Sequence, residues 1–138
     1  MIRIDERLKH LAGIFSANND NIYAVGGYVR NQLIGLPVTD IDIAGTAAPE
    51  QVMKMLSGTD IYSIVERNRA LGTIEIHIYG GKNKLKCEYT TFRRDSYRGG
   101  VHTPVDVSFT RNINEDALRR DFTVNAIYAD LLTGTIID

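Results

Sequence analysis

Two aspartates, Asp40 and Asp42, are the first residues of this sequence whose type and spacing suggest chemistry. They lie in the stretch 39–44, which alternates polar and apolar residues. Because residues i and i+2 of a strand share a face, both carboxylates should point the same way, with Ile41 and Ile43 directed into the core. Two adjacent carboxylates are costly unless a cation lies between them, and Mg²⁺ prefers hard oxygen ligands of this kind.

A glycine pair, Gly26-Gly27, precedes the aspartates and follows a short apolar run that predicts a buried strand at 23–25. A helical pattern begins at Tyr28, with Arg30 in its first turn. Backbone N–H groups at a strand-to-helix turn of this kind can approach an anion closely, and a guanidinium one turn inside can bind the same phosphate. A DxD pattern alone is more often a solvated strand edge, but a phosphate-binding turn beside a divalent-metal site favours phosphoryl or nucleotidyl transfer.

Hydrophobic periodicity predicts the elements that must position these groups. A helix is expected over 4–18, with Leu8, Leu11, Ala12 and Phe15 inward, and a second over 50–56, capped by Thr46 or Ala47. Alternating stretches predict strands at 61–65, 72–79, 84–92 and 105–109, and a final hairpin over 126–137. These segments imply a mixed α/β domain of the α+β class: a small mixed or antiparallel sheet with helices mainly on one face.

Three further features complete the predicted chain. Asn112 or Asn114 should cap a short helix with Leu118 packed inward. His77 should be a solvated side chain by strand alternation. The polar segment 94–103 contains Arg94 and Arg98 and has no period, which predicts a mobile loop.

Length and composition restrict the function classes. The chain has 138 residues, a one-domain length, and 43% hydrophobic residues, which is ordinary for a folded core. The lone cysteine, Cys87, excludes an internal disulfide, and neither a membrane-length apolar run nor a signal peptide is recognisable, so a cytoplasmic protein is expected. The net charge of −1 is not the basic balance of a protein that grips a polyanion alone.

Three motifs in order resemble a known family. GGYVRNQLIG followed by DIDIAG is similar to the first signature of the nucleotidyltransferase superfamily, in particular the group of class II tRNA nucleotidyltransferases (CCA-adding enzymes) and bacterial poly(A) polymerases. CEYTTFRRDSYRGG resembles the strand and flexible loop that follow, and EDALRRDFTVNAIYAD resembles the family's RRDF-x-x-NA motif. One departure is Asn31, where the family usually has aspartate after the arginine.

The resemblance implies a catalytic head domain over 1–138, without the neck, body and tail of the family. It implies Mg²⁺-dependent transfer of CMP or AMP from CTP or ATP to a tRNA 3′ end, with Mg²⁺ held by Asp40 and Asp42. Glu88 is the candidate third carboxylate, which such enzymes carry on a strand beside the aspartate strand, although it could instead be a surface glutamate paired with Lys84 or Lys86, and Asp106 is a weaker rival.

The remaining site residues are also assigned by resemblance. Nucleotide binding is expected from a set of glycines, basic residues and polar residues: Gly26, Gly27, Arg30, Arg119, Arg120, Asp121 and Asn125. Of the arginine pair, Arg120 is expected on the triphosphate, with Asp121 holding an arginine or the ribose. RNA contacts are expected from Arg93, Arg94 and Arg98. Two alternatives stay open: a poly(A) polymerase that uses only ATP, and a nucleotide-binding module without catalysis. The sequence does not determine base selectivity or the oligomeric state.

Overall fold

The computed structural model describes residues 3–27, 29, 41–80, 84–96, 106–120 and 127–137. Its helices are α1 (Glu6–Ala17), α2 (Pro49–Leu56) and α3 (Ile113–Arg119), with a 3₁₀ turn at Arg69–Leu71. Its strands are β1 (Ile22–Val25), β2 (Ile41–Gly45), β3 (Tyr62–Asn68), β4 (Thr73–Ile78), β5 (Leu85–Thr91), β6 (Arg93–Ser96), β7 (Asp106–Phe109), β8 (Tyr128–Asp130) and β9 (Ile136–Ile137). None of the helices in these ranges is long and apolar enough to cross a membrane.

Seven of these strands form one sheet in the order β3-β4-β5-β2-β1-β8-β9, and β6 and β7 form a separate hairpin. Within the described strands, β2 pairs with β5 in parallel and the other pairs are antiparallel. The α+β class with a mixed sheet, predicted from the sequence, is therefore confirmed.

Helix α1 covers one face of the sheet. Its N-cap is Asp5, whose Oδ1 accepts the Arg7 N–H at 2.8 Å and so satisfies one of the free donors of the first turn. Its buried residues are the four predicted from the helical period: Leu8, Leu11, Ala12 and Phe15. Burial of each larger side chain contributes about 1.5–3 kcal/mol, so this face is a main source of the helix's stability.

Helix α2 packs against the same core through Val52 and Leu56. The residue that caps it is Ala48, not Thr46 or Ala47 as predicted, and the Gln51 side chain accepts the Ala48 N–H at 2.8 Å. A glutamine at the third helical position can satisfy that donor, which is why an alanine is tolerated at the cap.

Strand β5 is fixed in register by hydrogen bonds on this core face. The Tyr89 hydroxyl and the Thr91 hydroxyl both donate to the carbonyl oxygen of Ala47, at 2.7 and 2.8 Å. Both side chains are fully buried, and burial raises the pKa of Tyr89 well above its usual value, so that the phenol stays a donor. The strand therefore has one position relative to the loop that leads into α2.

The opposite face of the sheet carries a smaller cluster beside α3. Val25, Ala44, Phe92 and Tyr128 are buried there, and Ile113 and Ala117 of the helix pack against them. Asn112 caps α3 by accepting the Asn114 N–H at 2.8 Å, one of the two predicted caps. Asp42 lies two residues before Ala44 on β2, and residues i and i+2 of a strand share a face, so Asp42 points to this face as well.

Several sequence predictions differ from the structure. Leu118 is 84% exposed and not packed inward, because Ile113 and Ala117 are the apolar residues on the contacting side of α3. Arg94 lies on strand β6, paired with β7, and not in a loop. The helix predicted from residue 28 lies mainly outside the described residues.

Candidate functional site

A row of side chains crosses the sheet on the face of α3. Glu75 on β4 is opposite Glu88 on β5, and Glu88 is opposite Asp42 on β2. The β1–β2 register, which pairs Ala24 with Ile43, continues the row to Val25, and Val25 is opposite Tyr128 on β8. Neighbouring strands lie about 4.8 Å apart, so the row fixes the order and the approximate spacing of these groups.

Asp42 and Glu88 are both exposed on adjacent strands. They line a cleft of about 460 Å³ with Ile41, Arg67, Glu75 and Lys86. This is the arrangement that the sequence predicted for Glu88, on a strand beside the one that carries the aspartates. Asp40 lies outside the described residues, and the described part of the chain contains no group of three or more His, Cys, Asp or Glu side chains placed to hold a metal.

Glu75 is the centre of a charged cluster at one end of this cleft. Arg67 Nε donates to Glu75 Oε2 at 2.8 Å, the Arg67 Nη2 group contacts the same oxygen, and His77 Nε2 bonds to Oε1. Lys86 Nζ is 3.8 Å from Oε1. The bonds from His77 and Arg67 lower the pKa of Glu75 to about 2, so it is a carboxylate at neutral pH.

His77 was predicted to be solvated, and this is wrong. Its side chain is largely buried because residues 75 and 77 share a strand face and the imidazole lies against the Glu75 carboxylate. Neither Glu75 nor Arg67 was singled out from the sequence, since their meeting depends on the pairing of β3 with β4.

The glycine turn is present at the end of β1. Gly26 has φ 67°, in the left-handed region that favours glycine, and its N–H donates to the Ile127 carbonyl oxygen at 3.1 Å. That amide is used within the fold, whereas Gly27 begins a helix and is partly exposed. Arg30 lies outside the described residues.

A buried carboxylate, Asp116 of α3, holds the arginine pair. Arg119 Nε donates to Oδ1 at 3.0 Å and Arg120 Nε donates to Oδ2 at 2.9 Å. Oδ2 also accepts the Tyr128 hydroxyl at 2.7 Å, and Oδ1 accepts the Arg93 N–H at 3.1 Å. Asp116 is fully buried, and the Arg120 guanidinium lies 5.9 Å from the centre of the Tyr128 ring.

Electrostatics keep Asp116 ionised. Burial would raise its pKa, but the charges of Arg120 and Arg119, with the Tyr128 hydrogen bond, hold the pKa below its usual value. Burial and the neighbouring Arg120 lower the pKa of Arg119, while Asp116 outweighs burial and raises that of Arg120. The cluster of one carboxylate and two guanidiniums therefore carries a net positive charge beside Tyr128, the end of the row.

Asp116 was not singled out from the sequence as a site residue. A signal was available, because Arg119 and Arg120 follow it at i+3 and i+4, the spacing at which helical side chains meet. The predicted holder of an arginine, Asp121, and Asn125 lie outside the described residues.

Two of the predicted RNA-contacting arginines, Arg93 and Arg94, have different surroundings. Arg93 is partly buried, and its Nη1 donates to the Leu71 carbonyl oxygen at 2.9 Å, so its side chain braces the turn before β4. Arg94 is exposed and pairs with Glu115 at 3.1 Å. Arg98 lies outside the described residues, as does the side chain of Asp106.

Comparison with known proteins places this arrangement in a family. Residues 22–138 match the family described as the poly A polymerase head domain. The CCA-adding enzyme of Geobacillus stearothermophilus is 41% identical over 116 residues, which are 84% of this chain and 26% of that enzyme. The CCA-adding enzyme of Enterococcus faecalis is 38% identical over 123 residues, covering 89% of this chain and 28% of the relative.

Solved structures of related enzymes have a similar fold. The crystal structure of the Bacillus stearothermophilus CCA-adding enzyme in complex with CTP has a TM-score of 0.76 and 34% identity, over 96% of this chain and 29% of that one. A tRNA nucleotidyltransferase complexed with a primer tRNA and an incoming ATP analog has a TM-score of 0.65 and 30% identity, over 93% and 34% of the two chains. The present chain thus spans about a quarter to a third of the length of the relatives it matches. On the strength of these matches, the chain belongs to the poly A polymerase head domain family.

Proposed function

We propose that this chain is the head domain of a CCA-adding tRNA nucleotidyltransferase, which transfers CMP and AMP from CTP and ATP to the 3′ end of tRNA. The observation that carries the proposal is the row in which Asp42 and Glu88 lie side by side and which ends at Tyr128, whose hydroxyl bonds the Asp116 carboxylate that holds the arginine pair. Acidic groups and a basic cluster on one sheet face are what a nucleoside triphosphate with a divalent ion requires.

The described residues fit Mg²⁺. Asp42 and Glu88 offer hard oxygen donors from paired strands, and Mg²⁺ is commonly bound by one or two carboxylates together with substrate phosphates. Asp40 is the proposed second member of the aspartate pair. When bound, Mg²⁺ would supply Lewis-acid stabilisation of the phosphate oxygens and of the attacking hydroxyl.

Arg119 and Arg120 are proposed to bind the triphosphate. Their Nε atoms are directed at Asp116, so each guanidinium is held in one orientation, and its Nη groups are the donors proposed to bind the triphosphate. Asp116 is thus a positioning residue in this proposal. Gly27 and Arg30 are proposed to contribute further phosphate contacts at the turn after β1, with Gly26 supplying the required backbone conformation.

The remaining assignments concern ribose and RNA. Asp121 and Asn125 are proposed to contact the ribose or to hold an arginine. Arg94 and Arg98 are proposed to contact RNA, and the exposure of Arg94 supports that role. Arg93 is a weaker candidate, because its guanidinium is directed at the Leu71 carbonyl.

An incorporation assay tests the proposed function. Labelled CTP and ATP are supplied with tRNA that lacks its 3′ CCA, in the presence of Mg²⁺. We expect Asp42→Asn to lower kcat by about 100-fold or more, as loss of several kcal/mol of charge stabilisation implies. Asp60→Asn is the matched control, because Asp60 is an exposed carboxylate of the turn before β3, and it should leave kcat unchanged.

The same assay separates the alternatives. Addition of C and then A supports CCA addition, and addition of A alone supports the poly(A) polymerase alternative. Normal turnover by Asp42→Asn would refute the assignment of the carboxylate site, and no incorporation by the wild type would favour a nucleotide-binding module.

A further inference from the structure

The cleft is lined by a basic group that the proposed nucleotide site does not use. Arg67 and Lys86, here called the basic pair, line the cleft with Asp42 and Glu88, and their side chains are 52% and 54% exposed. We propose that the basic pair binds a phosphodiester of the tRNA primer strand next to the reacting 3′ end. This inference rests on the proposed function and adds a substrate subsite to it.

The basic pair contacts the sheet on the side of the carboxylates that is opposite to the arginine pair. Glu75, which both members of the basic pair contact, lies on β4, one strand beyond Glu88. Tyr128, whose hydroxyl bonds the Asp116 carboxylate that holds the arginine pair, lies two strands beyond Asp42 in the opposite direction. The carboxylates therefore lie between two basic groups on one face of the sheet. The distance from Glu88 to the Glu75 row position is about 4.8 Å, one strand spacing.

The in-line geometry of nucleotidyl transfer predicts the side from which the primer approaches. In phosphoryl-transfer reactions the attacking and leaving oxygens lie roughly in line on opposite sides of the phosphorus. If the arginine pair holds the triphosphate and its leaving pyrophosphate, the primer must approach from the other side of the carboxylates. Arg67 on β3 lies on that side, and Lys86, which shares β5 with Glu88, places its Nζ 3.8 Å from Glu75 Oε1 on the same side. The anion nearest to a primer 3′ hydroxyl is the phosphodiester of its own terminal nucleotide.

Arg67 is oriented by Glu75 before any ligand binds. Its Nε and Nη2 groups are directed at Glu75, whose carboxylate is almost wholly buried between Arg67 and His77. A guanidinium has five N–H donors in a rigid fork, so those on Nη1 are available to a phosphate. A surface arginine with no such partner would lose more side-chain entropy on binding an anion. Glu75 therefore acts as a positioning residue for Arg67.

Binding of RNA in the absence of Mg²⁺ and nucleotide tests the subsite directly. The probe is a short fluorescein-labelled single-stranded RNA with the sequence of a tRNA 3′ end, and the readout is anisotropy across a salt series. Each phosphate contact to a single strand contributes about 0.7 to the slope of log K against log salt concentration. We expect Arg67→Gln and Lys86→Gln each to lower that slope by about 0.7 and to weaken binding.

Lys54→Gln is the matched control. Lys54 is an exposed lysine of α2, whose buried residues pack into the core on the opposite sheet face, and its loss should leave the slope unchanged. If Arg67→Gln fails to fold because it leaves Glu75 with fewer partners, Lys86→Gln decides, since its 3.8 Å contact contributes little to stability. A Lys86→Gln slope equal to that of the wild type would overturn the proposal.

Steady-state incorporation distinguishes the two possible phosphates. We expect the variants of the basic pair to raise KM for the tRNA primer several-fold and to leave KM for CTP unchanged. A rise in KM for CTP alone would show that the cleft binds the triphosphate, which overturns the primer assignment. Because anisotropy needs no catalysis, a lowered slope in the variants together with no incorporation by the wild type would refute the proposed function and not this subsite.

Discussion

Replacing Asp116 by asparagine should destabilise the protein far more than an ordinary polar substitution. The change keeps the size of the side chain but removes a charge that two guanidiniums, a phenol and a backbone N–H share. The asparagine NH₂ group would also put a donor in the place of a carboxylate oxygen that accepts hydrogen bonds, so that two donors would face each other. Breaking a buried ion pair by removal of one partner typically costs about 3–5 kcal/mol, and we expect a loss of free energy of unfolding in that range.

Urea unfolding at neutral pH measures the effect, and Glu115→Gln is the matched control. Glu115 lies next to Asp116 on α3, but it is partly exposed and bonds the Thr110 hydroxyl at 2.6 Å and Arg94 at 3.1 Å. A partly exposed pair of this kind contributes about 0–1 kcal/mol, so the control should lose no more than about 1 kcal/mol. An Asp116→Asn loss as small as that of the control would refute the role of Asp116 as the anchor of the arginine pair.

The pH dependence of the same measurement gives a second check. Because the folded pKa of Asp116 lies below the ordinary value of 3.8, its ionised form stabilises the fold at pH values above 3.8. That contribution is lost as the pH falls through the folded pKa. The difference between wild type and Asp116→Asn should therefore be full at pH 7 and should decrease below pH 3.8. A difference that grows on acidification would contradict the assigned sign.

Three further outcomes follow from the packing and charges. Gly45→Ala should destabilise the fold markedly in thermal unfolding, because a Cβ there would lie 2.5 Å from a backbone oxygen. Gly13→Ala in α1 should instead stabilise the fold by about 0.5–1 kcal/mol, because open space surrounds that position and alanine favours a helix. Glu75→Gln should lose stability at pH 7 and much less near pH 2, because the depressed pKa makes the carboxylate stabilising above its usual 4.5 and ineffective below about 2; an equal loss at both pH values would contradict this. Leu118→Ser should change the free energy of unfolding by less than about 0.5 kcal/mol, while Leu131→Ala, at a fully buried position, should cost about 2–5 kcal/mol in urea.

Local periodicity was sufficient to predict most of the fold. The four buried residues of α1 follow from residue spacing alone, and the cap at Asn112 is one of the two that the sequence predicted, because each feature depends on neighbours in the chain. The placement of Glu88 beside the aspartate strand was also predicted, although from a family pattern and not from periodicity.

Features that depend on distant partners were harder to predict. His77 is shielded because its neighbour Glu75 is held by Arg67 of another strand, which alternation within β4 does not indicate. Leu118 is exposed because the cluster that α3 covers is small and is filled by Ile113 and Ala117. Asp116 shows the opposite case, since its helical spacing to both arginines was visible in the sequence and was not used.

The two hydroxyl bonds to the Ala47 carbonyl have a consequence for the opposite side of the sheet. A shift of β5 by one residue along β2 would replace Glu88 on that side by Cys87 or Tyr89, since side chains alternate with a period of two. The tyrosine and threonine contacts make such slippage expensive, although they lie on the far side from Asp42. Mutations at Tyr89 and Thr91 should therefore disturb the alignment of Asp42 with Glu88, although neither residue contacts that pair, because they would allow β5 to shift its register along β2.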